Sequence, residues 1–174
     1  MAEQAAGVLI RQESEADVQV VDELTGAAFG SDVEVGLLQA LRRDVGFVPA
    51  LSLVAEGPAG EVVGHVICTE GTIGPTVALG LGPVSVVPSL QRDGVGSALM
   101  HAALGAADAL GYPAVVLLGH ADYYPRFGFV SARSLGIEPT EPGWGDANFM
   151  ARPLQAWQPT MTGTFRYAAP FEAL

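Results

Sequence analysis

The chain predicts an α/β domain built around one right-handed strand–helix–strand unit, and three observations carry that prediction. An apolar run, Leu81–Val87, feeds a turn with two glycines, Gly94 and Gly96, and a helical pattern starts at once. The stretch AVVLLG, Ala114–Gly119, is a continuous apolar run of strand length, which suits a strand buried on both faces as in a parallel pair. Earlier, two further apolar runs flank Gly57-Pro58-Ala59-Gly60, a hairpin turn signal.

Taken in order, Val8–Arg11 reads as a short first strand. Ser14 followed by Asp17 is a capping-box-like start, and Val18, Val21 and Leu24 continue on one helical face until Gly30 stops it. Ser31 with Glu34 repeats that pattern, and Leu37, Leu38 and Leu41 form the apolar side of a second helix. Strands are expected over Ala50–Glu56 and Val62–Glu70, then Leu81–Val87. Pro83 cannot donate to a ladder, so a bulge or an edge is expected there. The following helix spans about Val95–Leu110 and ends at Gly111, with Pro113 just beyond. After Ala114–Gly119, Phe129–Ser131 and Ala147–Arg152 read as weaker final strands. From Gln155 the tail is rich in Pro, Gly and aromatics and reads as a packed extension. With no repeat and no linker, residues 1–174 form a single domain with a core of about 8–153 and an extension over 154–174.

At 174 residues and 49% hydrophobic, the chain can bury a real core, about 70% of its unfolded surface. Nineteen acidic against eight basic residues give a net charge of −11, and every basic residue is an arginine. Such a chain should repel a nucleic-acid backbone, which requires clustered cations. It favours cationic small molecules approaching an acidic cleft, although a solvated acidic surface that aids solubility explains the same charge. Cys68 is the only cysteine, which excludes an intrachain disulfide and a thiolate-built zinc site. The first ten residues lack the pattern of a signal peptide, and no apolar run approaches 18 residues, so no membrane span and a cytoplasmic location are expected.

A strand, glycine turn and helix in succession present backbone N–H groups at a helix N-terminus, an anion site that does not depend on side-chain charge. Gly94 and Gly96 remove Cβ atoms that would block a phosphate, which makes Asp93 tolerable beside Arg92. A nucleoside-triphosphate P-loop would need a lysine, and the chain has none; a dinucleotide fingerprint would need a third glycine and a later acid, and both are missing. The pattern Gln91-Arg92-Asp93-Gly94-Val95-Gly96 instead resembles the [Q/R]-x-x-G-x-[G/A] turn of the GNAT superfamily of N-acetyltransferases. PVSVVPSLQRDGVGSALM is similar to that family's strand–proline–turn–helix. YYPRFGFV, Tyr123–Val130, is similar to its Tyr-x-x-x-Gly-Phe segment, and LLGHADYYPRFGF with GTFRYAAPF resembles a bacterial group of putative acetyltransferases without assigned substrates.

The resemblance implies an α/β (α+β) fold of the GNAT type: a mixed, largely antiparallel central sheet, flanked by helices, whose fourth and fifth strands are parallel and splay apart. It implies direct transfer of an acetyl group from acetyl-CoA, as cosubstrate and without a metal, to the amine of a small molecule or peptide. Val84, Ser85 and Val86 would pair with the pantetheine arm, and the Val86 amide would stabilise the oxyanion. Gln91, Arg92, Asp93, Gly94, Val95, Gly96 and Ser97 would cradle the pyrophosphate. Tyr124 matches the tyrosine that protonates the leaving thiolate, with Tyr123 next in line; a tyrosine packed against the core is the plainer reading. Glu70 at a strand end and His120 at the cleft mouth are candidates for the base, each with an equally ordinary reading as a solvated acid and a loop histidine, and a water relay is a third choice.

His65 and His101 read as structural, and Cys68 as a small buried apolar residue. The segment Glu138–Asn148 shapes the acceptor pocket or is a surface loop with Trp144 covering the core. A homodimer is compatible with all of this. A non-catalytic acyl-CoA-binding module is the competing function, and a longer acyl group or an alcohol acceptor shares the same cradle.

Overall fold

A computed structural model describes residues 7–174. Its strands are β1 (Leu9–Gln12), β2 (Phe47–Glu56), β3 (Val62–Ile73), β4 (Thr76–Val86), β5 (Ala114–Leu118), β6 (Val130–Ser131), β7 (Ile137–Pro139), β8 (Phe149–Pro153) and β9 (Gly163–Arg166). The helices are α1 (Val18–Phe29), α2 (Val33–Leu41) and α3 (Val95–Ala109). The sheet runs β1-β2-β3-β4-β5-β8-β6. Its pairings are antiparallel except β4 with β5 and β7 with β9.

The local signals explain most boundaries. Asp17 Oδ2 accepts the Ser14 backbone N–H at 2.7 Å and its hydroxyl at 2.8 Å, so the chain turns into α1 where the Ser-x-x-Asp spacing expects. Gly30, at φ 65°, ends that helix in the left-handed region. The second Ser-x-x-acid pattern works differently. The Ser31 hydroxyl accepts the Val33 N–H at 3.1 Å, and Glu34, in the first turn of α2, stays free of any capping duty toward Ser31. In α3 the buried positions Val95, Leu99, Met100, Ala103, Leu104 and Ala107 recur at helical spacing and face the sheet. Gly64 of β3 lets that helix approach, because a Cβ there would lie 2.9 Å from Leu99 Cδ1. Full burial of Leu99 and Met100 contributes about 1.5–3 kcal/mol each.

The layers follow. Helix α3 covers one face over Leu53, Val66, Cys68 and Leu81, while α1 and α2 cover the other over Val54 and Ile67. Among the described residues no helix is long and apolar enough to cross a membrane.

The strands exceed the sequence reading at several ends. β2 begins at Phe47 rather than Ala50, β3 continues to Ile73 rather than Glu70, and β4 begins at Thr76 rather than Leu81. The glycines at 71, 74 and 80 weaken strand propensity there, but a neighbouring strand decides the matter. That neighbour is β9, from the tail. The β2–β3 ladder stops at Phe47–Thr69, and β9 takes over beside β3 through Thr72–Arg166 and Ile73–Phe165. A Cβ on Gly71 would run into the Arg166 carbonyl, so glycine is what permits the approach. The expected irregularity at Pro83 is a register shift between Cys68–Leu81 and Val66–Val84, where β4 carries one residue more than the facing stretch of β3.

Candidate active site

The parallel pairing of β4 with β5 covers only Leu79–Val115 and Gly80–Val116. Beyond it the two strands part, and the gap opens into a cleft of about 700 Å³. Leu81–Val84 form one wall, Leu118–His120 and Tyr124 the other, and α2 with the C-terminal tail closes the far side.

Backbone direction within β4 sorts the three expected pantetheine contacts. The Val87 N–H donates to the Val63 carbonyl at 2.9 Å, and Gly64–Val86, His65–Ser85 and Val66–Val84 follow in register. Antiparallel ladders alternate, so Ser85 turns its N–H and C=O to β3 while Val84 and Val86 turn theirs to the gap. Ser85 is also buried, and its hydroxyl donates to Thr25 Oγ1 of α1 at 3.2 Å. Ser85 is therefore removed from the expected set. The Val86 carbonyl accepts the Gln91 side-chain amide at 3.2 Å, which ties the glycine turn to the end of β4.

The turn itself holds Arg92 at φ 71° and Gly94 at φ 90°, both in the left-handed region. For the arginine this is an uncommon conformation of the kind that functional sites retain. The first bond of α3 runs from the Ala98 N–H to the Gly94 carbonyl at 3.0 Å, so the amides of Val95, Gly96 and Ser97 precede the first intrahelical donor. The two glycines have different reasons. Gly94 is surrounded by open space and is required by its φ, whereas a Cβ on Gly96 would stand 3.0 Å from the Tyr123 hydroxyl. Gln91, Arg92, Asp93 and Gly94 are all exposed.

Tyr124 lies in the cleft wall with its ring against Gly119, where any Cβ would collide with it. It meets Tyr123 and Phe129 edge to face, with centroids 5.1 and 5.8 Å apart. Burial, with Tyr123 adding to it, pushes the Tyr124 phenol up to about 12, so the hydroxyl keeps its proton at neutral pH. Tyr123 packs instead over the turn and under the Arg126 guanidinium, 4.8 Å from its ring centroid. His120 is exposed at the cleft mouth.

Glu70 is not in the cleft. Val66 and Cys68, which share its strand face by alternation, belong to the α3 side, and Glu70 Oε1 accepts the Tyr112 hydroxyl at 2.6 Å just past the end of α3. That corrects the expectation that Glu70 faces the site: strand length was misjudged, and the parity of the strand turns its side chain to the opposite face. Burial, with the bond to Glu70 adding to it, pushes the Tyr112 phenol up to about 12. His65 is sealed in the interior, His101 is exposed on α3 with its ring edge-on to Phe127 at 5.2 Å, and Cys68 is buried, its thiol pushed up to about 12. Among the described residues no group of three or more His, Cys, Asp or Glu could hold a metal.

The tail is what the sequence reading missed. Tyr167 packs against Gly80, where a Cβ would meet its ring, and burial raises its phenol. It contacts Trp144 edge to face at 5.9 Å and stacks on Phe171 at 4.3 Å. Trp144, within Glu138–Asn148, thus faces the cleft, and its carbonyl accepts Arg133 Nη2 at 2.9 Å. The signal was present: isolated glycines at 71 and 80 inside strands mark a close approach of other groups.

A model of the acetyltransferase (GNAT) domain matches residues 49–131. The Escherichia coli K12 protein named "Uncharacterized N-acetyltransferase YjhQ" is 34% identical over 164 residues, covering 90% of this chain and 90% of its own. "Uncharacterized N-acetyltransferase YhbS" of the same organism is 34% identical over 138 residues, 78% of this chain and 81% of its own. The crystal structure of the Escherichia coli GNAT family N-acetyltransferase YhbS in complex with CoA superposes with a TM-score of 0.86 at 29% identity, over 99% of this chain and 96% of that one. A GNAT family acetyltransferase from Brucella melitensis in complex with acetyl-CoA superposes at 0.76 with 31% identity, over 95% and 99%. The match over nearly the whole length, together with the parted strands and the glycine turn, identifies the chain as an acyltransferase of the GNAT family of N-acetyltransferases.

Proposed function

We propose that the chain transfers the acetyl group of acetyl-CoA directly to an amine bound in the cleft between β4, α2 and the C-terminal tail. One observation carries the reading: the backbone edge that Val84 and the Val86 N–H turn away from β3 leads into the turn whose amides at 95–97 precede the first intrahelical donor. The fit to the cosubstrate is tested by shape as well. A polar, amide-containing arm suits the edge of a strand that has lost its neighbour, and a pyrophosphate suits a helix N-terminus with no Cβ at two positions. CoA and acetyl-CoA complexes of the two related structures support the same reading.

Each residue then has a defined task. Val84 and Val86 hold the arm, and the Val86 amide donates to the acetyl carbonyl oxygen as charge develops on it, a contribution of about 2.7–4 kcal/mol for one well-placed donor. Gln91, Arg92, Asp93, Gly94, Val95, Gly96 and Ser97 form the cradle, with the Arg92 guanidinium as its cation. As the amine nitrogen bonds to the carbonyl carbon and the C–S bond breaks, Tyr124 gives its proton to the departing sulfur. His120, at the mouth, takes the proton that the amine loses, directly or through one water. Solvent then restores both groups.

Calorimetric titration of acetyl-CoA into the purified protein, with ATP and NADH as controls, tests the cradle, and a screen of primary amines for acetylated product tests the transfer. Saturable binding of acetyl-CoA alone, with turnover, is expected. Gly94→Glu, which adds a negative side chain at a position requiring positive φ, should abolish that binding. Retained affinity in the variant overturns the cradle; binding without turnover of any amine overturns the transfer in favour of an acyl-CoA-binding module.

A further inference from the structure

The far end of the cleft is lopsided in charge and in shape. Glu34 reaches it from the first turn of α2, and its Oε2 atom is shielded from solvent with no hydrogen-bond partner among the described residues. A shielded carboxylate oxygen without a partner is costly, and the side chain that carries it lines the cavity. Glu141 and Glu172 line the same end, against one cation, Arg166, so three carboxylates and one guanidinium give a local balance of −2. The walls between them are aromatic: Phe29 on the α1 side and Trp144, Tyr167 and Phe171 on the other, the last two stacked at 4.3 Å. Carboxylates set among aromatic faces are the environment that attracts an ammonium group carried on an apolar stem.

The nitrogen that is acetylated gives up its proton and its charge to attack, so it does not keep an ion pair with a carboxylate through the reaction. Charge recognition must therefore act on a different nitrogen of the same molecule. Resting on the acetyl-transfer reading, we propose that the cleft selects amines that carry a second amino group, protonated at neutral pH, with Glu34 holding the distal ammonium and the aromatic wall covering the apolar chain between the two. The chain's net charge of −11 assists the approach of such substrates from a distance.

The experiment compares diaminopentane with pentylamine, equal in chain length and different by one cation, in two readouts. The first is calorimetric binding of each amine to the full-length protein saturated with CoA, which does not depend on turnover. The second is kcat/KM with acetyl-CoA. The diamine should be preferred by about tenfold or more in both. Glu34→Gln should reduce that preference by about tenfold, and Glu61→Gln, which removes the same charge from the β2–β3 hairpin, should leave it in place. Acetyl-CoA binding by each variant reports that it has folded. Equal binding and equal kcat/KM for the two amines, an unchanged preference in Glu34→Gln, or the same loss in Glu61→Gln overturns the proposal. Glu34-dependent binding of the diamine without any acetylated product keeps the recognition and overturns the transfer; turnover of both amines alike does the reverse.

Discussion

Two clusters of chemically capable side chains occupy this molecule, and they are arranged in opposite ways. One joins Glu13 beyond β1, Ser52 of β2, His65 of β3 and Arg42 at the end of α2. His65 Nε2 lies 2.8 Å from both Glu13 Oε2 and Ser52 Oγ, Ser52 donates to the same carboxylate at 2.9 Å, and Arg42 reaches Glu13 and Asp22 at 2.7 Å each. The other is the cleft, where Tyr124, His120 and Glu34 share a cavity without bonding one another. By residue type the first cluster is the more suggestive of nucleophilic catalysis. Its geometry says otherwise, because a relay needs the serine and the acid on opposite ring nitrogens, and here both meet Nε2 while Nδ1 has no partner. Its serine and histidine are also buried, with Glu13 and Arg42 closing over them from the edge. Groups that spend their charges on one another between packed elements hold the fold together; groups set apart on an open wall are available to a ligand.

Two substitutions break or sharpen that contrast most strongly. Tyr124→Phe removes one hydroxyl from the cleft while keeping the ring on Gly119. It should lower kcat by about 10²–10⁴-fold, the usual worth of a proton donor, with acetyl-CoA affinity nearly unchanged by calorimetry. Unaltered turnover across pH would remove Tyr124 from the proton path. Glu13→Leu strikes the sealed cluster, leaving Arg42 with Asp22 alone and His65 beside an apolar group. Breaking a buried pair costs about 3–5 kcal/mol, or a fall in Tm of very roughly 6–20 °C for a chain of this size. Turnover per folded molecule at low temperature should persist. Lost activity at an unchanged Tm would mean that the two regions are not separate after all.

A smaller effect links the cleft to the tail. Gly80→Ala places a methyl group where the Tyr167 ring lies, and overpacking of this kind costs about 1–3 kcal/mol. With Tyr167 displaced, KM for the amine should rise while acetyl-CoA binding at Val84, Val86 and the turn holds. The reverse pattern would place the tail at the cosubstrate end.

How much of this was legible depended on whether the determinant was local. The strand–turn–helix at 81–110 was readable because a proline, two glycines and a helical repeat lie within thirty positions of one another, and AVVLLG announced a strand buried on both faces. That Tyr124 and His120 lie on the cleft wall was also legible locally, Tyr124 from the resemblance of YYPRFGF to a family segment and His120 from its place just past that strand. Ser85 and Glu70 were misplaced because the face a strand residue occupies depends on parity and register, and one bulge or three extra residues reverses the answer. Glu34 looked like half of a capping box and was spent on that role, until Ser31 was found bonding Val33 instead. Tyr167 could not be named: Gly80 signals a close approach without saying of what, and only the closed sheet brings the distant tail to it.

The least forceful test of the contrast is a titration. Burial holds the His65 imidazole below the 6.5 of a free histidine, despite the opposing pull of Glu13, so the folded chain keeps it neutral. The unfolded chain takes up that proton as pH falls through about 6.5 and the folded chain does not, so the stability it represents is complete above that pH and is lost as pH falls. Glu13, held low chiefly by its bonds to His65 against the cost of its own burial, and Asp17, held low by Arg11, contribute with the same sign, but only in the carboxylate range. Between neutrality and pH 5 the slope therefore belongs largely to His65 and cannot exceed about 1.4 kcal/mol per pH unit for one group. Denaturant midpoints measured every half unit should show this decline in the wild type and lose much of it in His65→Gln. The same decline in both proteins would assign the titration elsewhere and leave the sealed cluster without a charge to protect. A variant that flattened the slope and also shifted the pH profile of turnover would couple the buried histidine to the cleft, which the separation of the two clusters forbids.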